Sequence, residues 1–306
     1  MRFDLYAELA GQTSCPTDGP LPVTLASGFV DGCTSWSAGG PQRRHEARDR
    51  YRQLAASASL ALPDWIRLEP SFESLPHNDW LGLELDFTLE SPWYSKDDRP
   101  FHVLDNPVRK ERVFGVPYMS AASWKGLLRW SCRMEEGLLR HLERGGTIDD
   151  WDDPAWILHL FGNEKGEGED FQRGALAFFP TWFSKIGFEV INPHSRRTRA
   201  GTQPILYEVV PAGTRGTLHL LYAPLPGTAA RDRVQPKEAI GLLLDAVEAL
   251  LTRYGISAKR TGGWGAARVD VCRAYRKGRP PLQKSSLVAL KRALNASSEP
   301  EELGNG

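Results

Sequence analysis

The stretch LGLELDFTLES, Leu81 to Ser91, decides the fold. Leu81, Leu83, Leu85, Phe87 and Leu89 alternate with polar neighbours, the period of a strand with one buried face. Such a face needs a second layer, and downstream the chain supplies two helical patterns. The first runs from about Ser123 to Arg144, with Leu127, Met134, Leu138 and Leu142 inward and an RGG stop at 144–146. The second is PKEAIGLLLDAVEALLTRYG, residues 236–255, with Ile240, Leu243, Leu244, Val247, Leu250, Leu251 and Tyr254 at helical spacing.

Between them lies a shorter helix in DPAWILHLFG, residues 153–162, with Asp153 as cap, Pro154 at the first position and Gly162 closing it. Strand-like segments follow at 174–183 and 187–193. QPILYEVVPAG and GTLHLLYAP, joined through AGTRG, read as a hairpin, and ARVDVCRAY (267–275) is a last strand. Strand, helix, strands, helix, strand is the order of an α+β, ferredoxin-like (RRM-like) split βαβ core with insertions. That core occupies residues 79–277. Residues 1–78 read as an N-terminal extension with one exposed helix, and 278–306 as a loosely held tail rich in Pro, Ser and Glu.

With 306 residues, 41% of them hydrophobic, the chain can bury one large core or two smaller ones. It contains no apolar run of eighteen residues and no secretory signal, so cytoplasm is the expected location. Cys15, Cys33, Cys132 and Cys272 form no C-x-x-C pair, which argues for reduced structural thiols. Net charge is zero, so a polyanion site must come from local charge. Between Pro107 and Met134 six basic residues (Arg109, Lys110, Arg112, Lys125, Arg129, Arg133) face one acid, Glu111.

In VPYMSAASWKGLLRWSCR, residues 116–133, Lys125, Arg129 and Arg133 recur every four residues, with Gly126 in the expected first turn. Free amides and the positive end of the helix dipole would meet a phosphate there, with Ser120 or Ser123 as cap and Gly126 letting a backbone approach. The competing reading is a solvated basic face with a glycine placed for packing. A second motif, AKRTGGWGAARV, places Gly262, Gly263 and Gly265 between Lys259, Arg260 and Arg268, with Trp264 able to stack on a base. Its competitor is a turn with a buried tryptophan. It matches no nucleotide-hydrolysing fingerprint. A basic knot, NPHSRRTRAGTQP, offers His194, Arg196, Arg197 and Arg199 to a sugar-phosphate backbone, or is a solvated loop. Asp105, in VLDNPVRKE, is either an Asx-turn residue or a group that binds a divalent cation, Mg or Mn, or takes a proton in RNA cleavage.

In this order the motifs resemble the RAMP superfamily of CRISPR-associated proteins, the repeat-associated subunits of type III effector complexes. Pro117, Tyr118, Ser123, Lys125, Gly126, Leu127, Leu128 and Arg129 match the family's signature, while Ser120, Ala121 and Ala122 replace its usual Pro-Gly-Ser. Lys259, Gly263, Trp264 and Gly265 match its C-terminal glycine loop. The resemblance runs from about Leu81 to Val271. The HLFG turn and INPHS resemble the end subunit of the type III-B (Cmr) backbone, whereas LDNPVRKERVFGVPY is similar to the repeated backbone subunit whose aspartate cleaves target RNA, which places Asp105 at that aspartate. The resemblance implies a subunit that binds guide RNA without a cofactor, beside target RNA and other effector subunits, with a β-insertion near 192–203. The alternatives are a metal-dependent endoribonuclease acting through Asp105 and a structural protein that binds no RNA.

Overall fold

The computed structural model describes residues 41–58, 60, 69–97, 102–111, 114–163, 172–193, 201 and 203–296. β1, Leu81–Leu89, lies inside a five-stranded antiparallel sheet. Its neighbours are β7 (Arg215–Tyr222) and β8 (Ala267–Tyr275); β3 (Leu176–Phe178) lies outside β7, and β9 (Leu282–Lys284) lies outside β8. Omitting β9, the order β3-β7-β1-β8 is that of the ferredoxin-like fold. The expected alternation holds: Leu81, Leu83, Leu85, Phe87 and Leu89 are all buried.

Two helices cover that face. α2, Ala121–Glu135, inserts Trp124, Leu128 and Cys132, and α6, Pro236–Ala249, which follows the single turn α5 (Thr228–Arg231), inserts Leu243, Leu244 and Val247. The Ser131 hydroxyl donates to the Ala246 carbonyl at 2.8 Å and joins the two helices. The inward side of α2 is therefore not the Leu127–Met134–Leu138–Leu142 series, because the expected long helix is broken. Gly137, at φ 105°, ends α2 and starts the separate α3, Leu138–Glu143, so the phase does not carry through.

The opposite sheet face carries Glu84 and Asp86, both hydrogen-bonded to Arg273, at 2.6 and 2.7 Å. These carboxylates make this face less favourable to phosphate.

Pro180 separates β3 from β4 (Thr181–Trp182), which pairs instead with β2 (Tyr118–Met119). The expected hairpin across 203–224 does not form. β6, Ile205–Val209, pairs with β5, Gly187–Ile191, in a separate ribbon, while β7 pairs with β1. Val210 bridges to Trp93, and Leu89 exchanges hydrogen bonds with Gly213 and Thr214, so the turn transfers the chain between sheets. The β5–β6 ribbon brackets the expected insertion.

Two expectations about the ends need correction. The expected exposed helix, α1 (Pro41–Ser57), buries Tyr51 and Ala55 in a small cluster with Val103, Leu104, Val116 and Ile186. The tail is not loose through residue 296: β9 extends the sheet, and α7, Leu287–Ala296, buries Leu287, Leu290 and Leu294 in the main core. Cys132 and Cys272 are buried free thiols, both with pKa raised by burial. Among the described residues, no helix is long and apolar enough to cross a membrane.

Candidate functional site

Ser120 fixes where α2 begins. Its Oγ accepts the Ser123 amide at 3.1 Å and pairs with the Ser123 hydroxyl at 2.9 Å. The first main-chain bond runs from the Trp124 amide to the Ser120 carbonyl. Ser120 is thus the cap and Ser123 its partner within the helix. The start at Ala121 puts Gly126 in the second turn rather than the first. Among the described residues the Ala121 and Ala122 amides have no acceptor, as the exposed head of a helix leaves them.

Gly126 is exposed, and a Cβ added there would meet no atom within 4 Å. Inside a helix glycine costs about 1 kcal/mol relative to alanine, and no packing within this chain offsets it. The packing explanation for Gly126 therefore fails. Ala122, Ser123 and Gly126 share one side of the helix at spacings of three and four, with exposed Lys125 beside them. Lys125 pairs with no described carboxylate; partial burial and then nearby Arg129 pull its pKa below the ordinary lysine value.

The basic stripe divides after Lys125. Arg129 Nε donates to Asp153 Oδ2 at 2.8 Å, and Arg133 Nε donates to Asp153 Oδ1 at 2.6 Å. The Asp153 side chain is 2% exposed, and Trp151 adds a further donor to it at 3.1 Å. Burial pushes the Asp153 pKa up, but hydrogen bonds from Arg133 and Arg129, together with their charges, leave it below the usual carboxylate value. Two corrections follow. Asp153 does not cap the following helix, α4 (Ala155–Phe161), whose N-cap is Pro154. Arg129 and Arg133 clamp the chain after α3 onto α2, so Arg129 is not a free phosphate ligand.

The glycine loop comes to the same helix. The Arg260 guanidinium lies 4.1 Å over the Trp130 ring, and Trp130 stands one helical turn beyond Gly126. Lys259 Nζ lies 5.0 Å from the Tyr207 ring centre. Neither cation pairs with a described carboxylate; each is held on an aromatic face. Burial lowers the Arg260 pKa from its ordinary value. Gly265, at φ 86°, crosses so close to Ser257 that a Cβ would meet its amide nitrogen at 2.3 Å. Gly262 and Gly263 have open space around them. Trp264 is partly buried, edge-on to Tyr207 at 5.9 Å, and is not the exposed stacking platform expected.

The loop before α2 is tied down by a buried group that sequence reasoning missed. Lys110 belongs to the expected surface charge, yet its side chain is 0% exposed and pairs with Glu208, also 0% exposed, at 2.7 Å. Tyr51 donates to Glu208 at 2.6 Å, and the Val108 amide donates to its other oxygen at 2.9 Å. Burial pushes the Glu208 pKa up; the charges of Lys110 and His102 and the hydrogen bonds outweigh it and hold the group ionised. A glutamate in the middle of the apolar run ILYEVV was the available signal.

This network anchors the Asp105 loop along β6, where Asn106 donates to the Leu206 carbonyl at 3.1 Å. Asp105 itself is 77% exposed and paired with Arg48 at 2.9 Å. Among the described residues no three His, Cys, Asp or Glu side chains gather as a metal-binding group. The Arg109 guanidinium donates to the Lys96 carbonyl at 3.3 and 3.4 Å. His194, Arg196, Arg197 and Arg199 lie outside the described residues.

The elements so far define a ferredoxin-like domain with unneutralised cations where its first core helix meets the glycine loop. The chain belongs to the RAMP superfamily, whose family model matches residues 86–268. Among solved structures it is similar to a chain of the type III-B Cmr-beta complex bound to cognate target RNA, at 12% identity over 67% of this chain and 61% of that one, with TM-score 0.41. It is similar to a chain of the Csm3–Csm4 subcomplex of the type III-A interference complex, at 17% identity over 71% and 95%, with TM-score 0.44. A chain of a CRISPR RNA-guided surveillance complex matches at 15% identity over 66% and 71%, with TM-score 0.45. No curated protein matches the sequence.

Proposed function

We propose that this chain is a guide-RNA backbone-binding subunit of a type III CRISPR effector, working in the cytoplasm beside target RNA and other effector subunits. Membership of the RAMP superfamily supports the class. The observation that carries the site is the pairing of the open helix flank at Gly126 with Lys125 and Arg260, neither neutralised by a described carboxylate. A cation held on a ring keeps its full charge for an incoming phosphate, whereas Arg129 would first have to leave Asp153. Contacts of this kind position a backbone and read no bases, as guide binding requires. The site is thus Ser123, Lys125 and Gly126 with Lys259, Arg260, Gly262 and Gly263; Arg129 serves structure.

Salt-dependent binding of single-stranded RNA tests this reading against a purely structural protein. Each phosphate contact contributes about 0.7 to the slope of log affinity against log salt. Lys125→Ala and Arg260→Ala should each reduce the slope by about that amount. An unchanged slope in both variants overturns the site. A second reading, cleavage of target RNA through Asp105, is favoured by its 77% exposed carboxylate on an anchored loop. Undiminished target cleavage by an Asp105→Ala complex would remove it.

A further inference from the structure

A cleft lies at the other end of the sheet. The glycine loop enters β8 at Ala267, which pairs with Leu89, whereas the cleft is lined by Leu81 at the start of β1. Eight strand steps put the two about 26 Å apart. The cleft holds about 860 Å³, within the range that buries a ligand or an anchoring side chain. Its floor is apolar, with Tyr222, Ile240, Leu244 and Leu294.

Charge around this floor is unbalanced. Arg173, Lys237, Arg276 and Lys291 line it against one carboxylate, Asp79, in a chain whose net charge is zero. Lys237 donates to the Asn295 carbonyl at 2.7 Å and Lys291 pairs with Asp245. Arg173 is exposed and pairs with no described carboxylate. Arg276 is half-buried at the cleft wall, and its buried Nε has no acceptor among the described residues. Gln235 and Pro236, at the head of α6, also line the cleft, and the Gln235 side chain does not cap the helix.

We propose that this cleft docks an acidic segment of a partner protein, an apolar side chain entering the floor and flanking carboxylates meeting Arg173 and Arg276. Nucleic acid fits it less well, because the cations ring one apolar hollow rather than follow a backbone. The proposal is independent of the RNA reading, since the two sites are at opposite ends of β1.

The test is selection of short random peptides on the full chain, followed by anisotropy with the enriched peptide. The expected consensus is Asp or Glu around one Leu, Ile, Phe or Trp. Arg173→Glu and Leu225→Glu change exposed cleft residues, so folding is preserved. Each sets a carboxylate against the acidic peptide and should weaken it at least about tenfold, the scale of one like-charge contact, and leave RNA affinity unchanged. No enrichment, as would follow if the chain's own acidic segments fill the cleft, overturns the proposal. A consensus without acids, unaltered binding to Arg173→Glu, or displacement of the peptide by RNA overturns it equally.

Discussion

Gly126→Ala separates stability from function with a single methyl group. The position is helical, its φ is not positive, and the added Cβ meets nothing within 4 Å. Alanine should therefore stabilise the chain by about 0.5–1 kcal/mol. For a domain of this size that is a rise in Tm of about 1–4 °C. The same methyl group stands on the flank of α2, beside Ala122 and Ser123, along which the proposed RNA backbone would reach the helix head. Losing one hydrogen bond to a charged group costs about 1.5–3 kcal/mol, or about tenfold to a hundredfold in affinity. Thermal melts and RNA anisotropy on the same protein should move in opposite directions. A higher Tm with unchanged RNA affinity would show that the glycine serves no ligand, and a lower Tm would refute the reading of its surroundings.

Other outcomes follow from the buried pairs. Glu208→Gln leaves the Lys110 ammonium buried without its counter-charge and should cost about 3 kcal/mol in denaturant unfolding, while Lys110→Met with Glu208→Leu should recover much of it. Asp153→Asn should cost less, about 1.5–3 kcal/mol, because Arg129 and Arg133 keep some contact with solvent. The folded Asp153 pKa lies below its ordinary value of 3.8. The stability it confers is complete above that value and is lost as pH falls through the folded one. Asp153→Asn should therefore flatten the acid limb of the stability profile. Replacing Trp130 by alanine should weaken RNA binding in the parent but not in Arg260→Ala, because Trp130 acts by holding Arg260; additive losses in this double-mutant cycle would contradict that role.

The parts of the fold that were legible are those where one residue period sets one buried face. β1, α6 and β8 are of this kind, and their order already implied a ferredoxin-like core. Long-range pairing was not legible. Nothing local to 203–224 tells β6 to pair backward with β5 while β7 pairs with β1; Val210 and Gly213 show it only through Trp93 and Leu89. The tail misled because its polar ends flank LQK and a helix whose leucines reach the core. At the site, Lys125, Gly126 and the glycine loop were legible as motifs. Which cations are free was not, since Arg129 and Arg133 share Asp153, and Lys110 pairs with Glu208, each carboxylate coming from a distant position. Arg260 over Trp130 is likewise a contact that only folding brings together.

The most direct measurement is photocrosslinking of a thiouridine-substituted guide RNA in the assembled complex, with the crosslinked peptides identified by mass spectrometry. The account predicts crosslinks in residues 120–130 and 257–265, both diminished by Lys125→Ala with Arg260→Ala. Crosslinks confined to the Glu84–Asp86–Arg273 face of the sheet, or a complex without guide RNA, would contradict it.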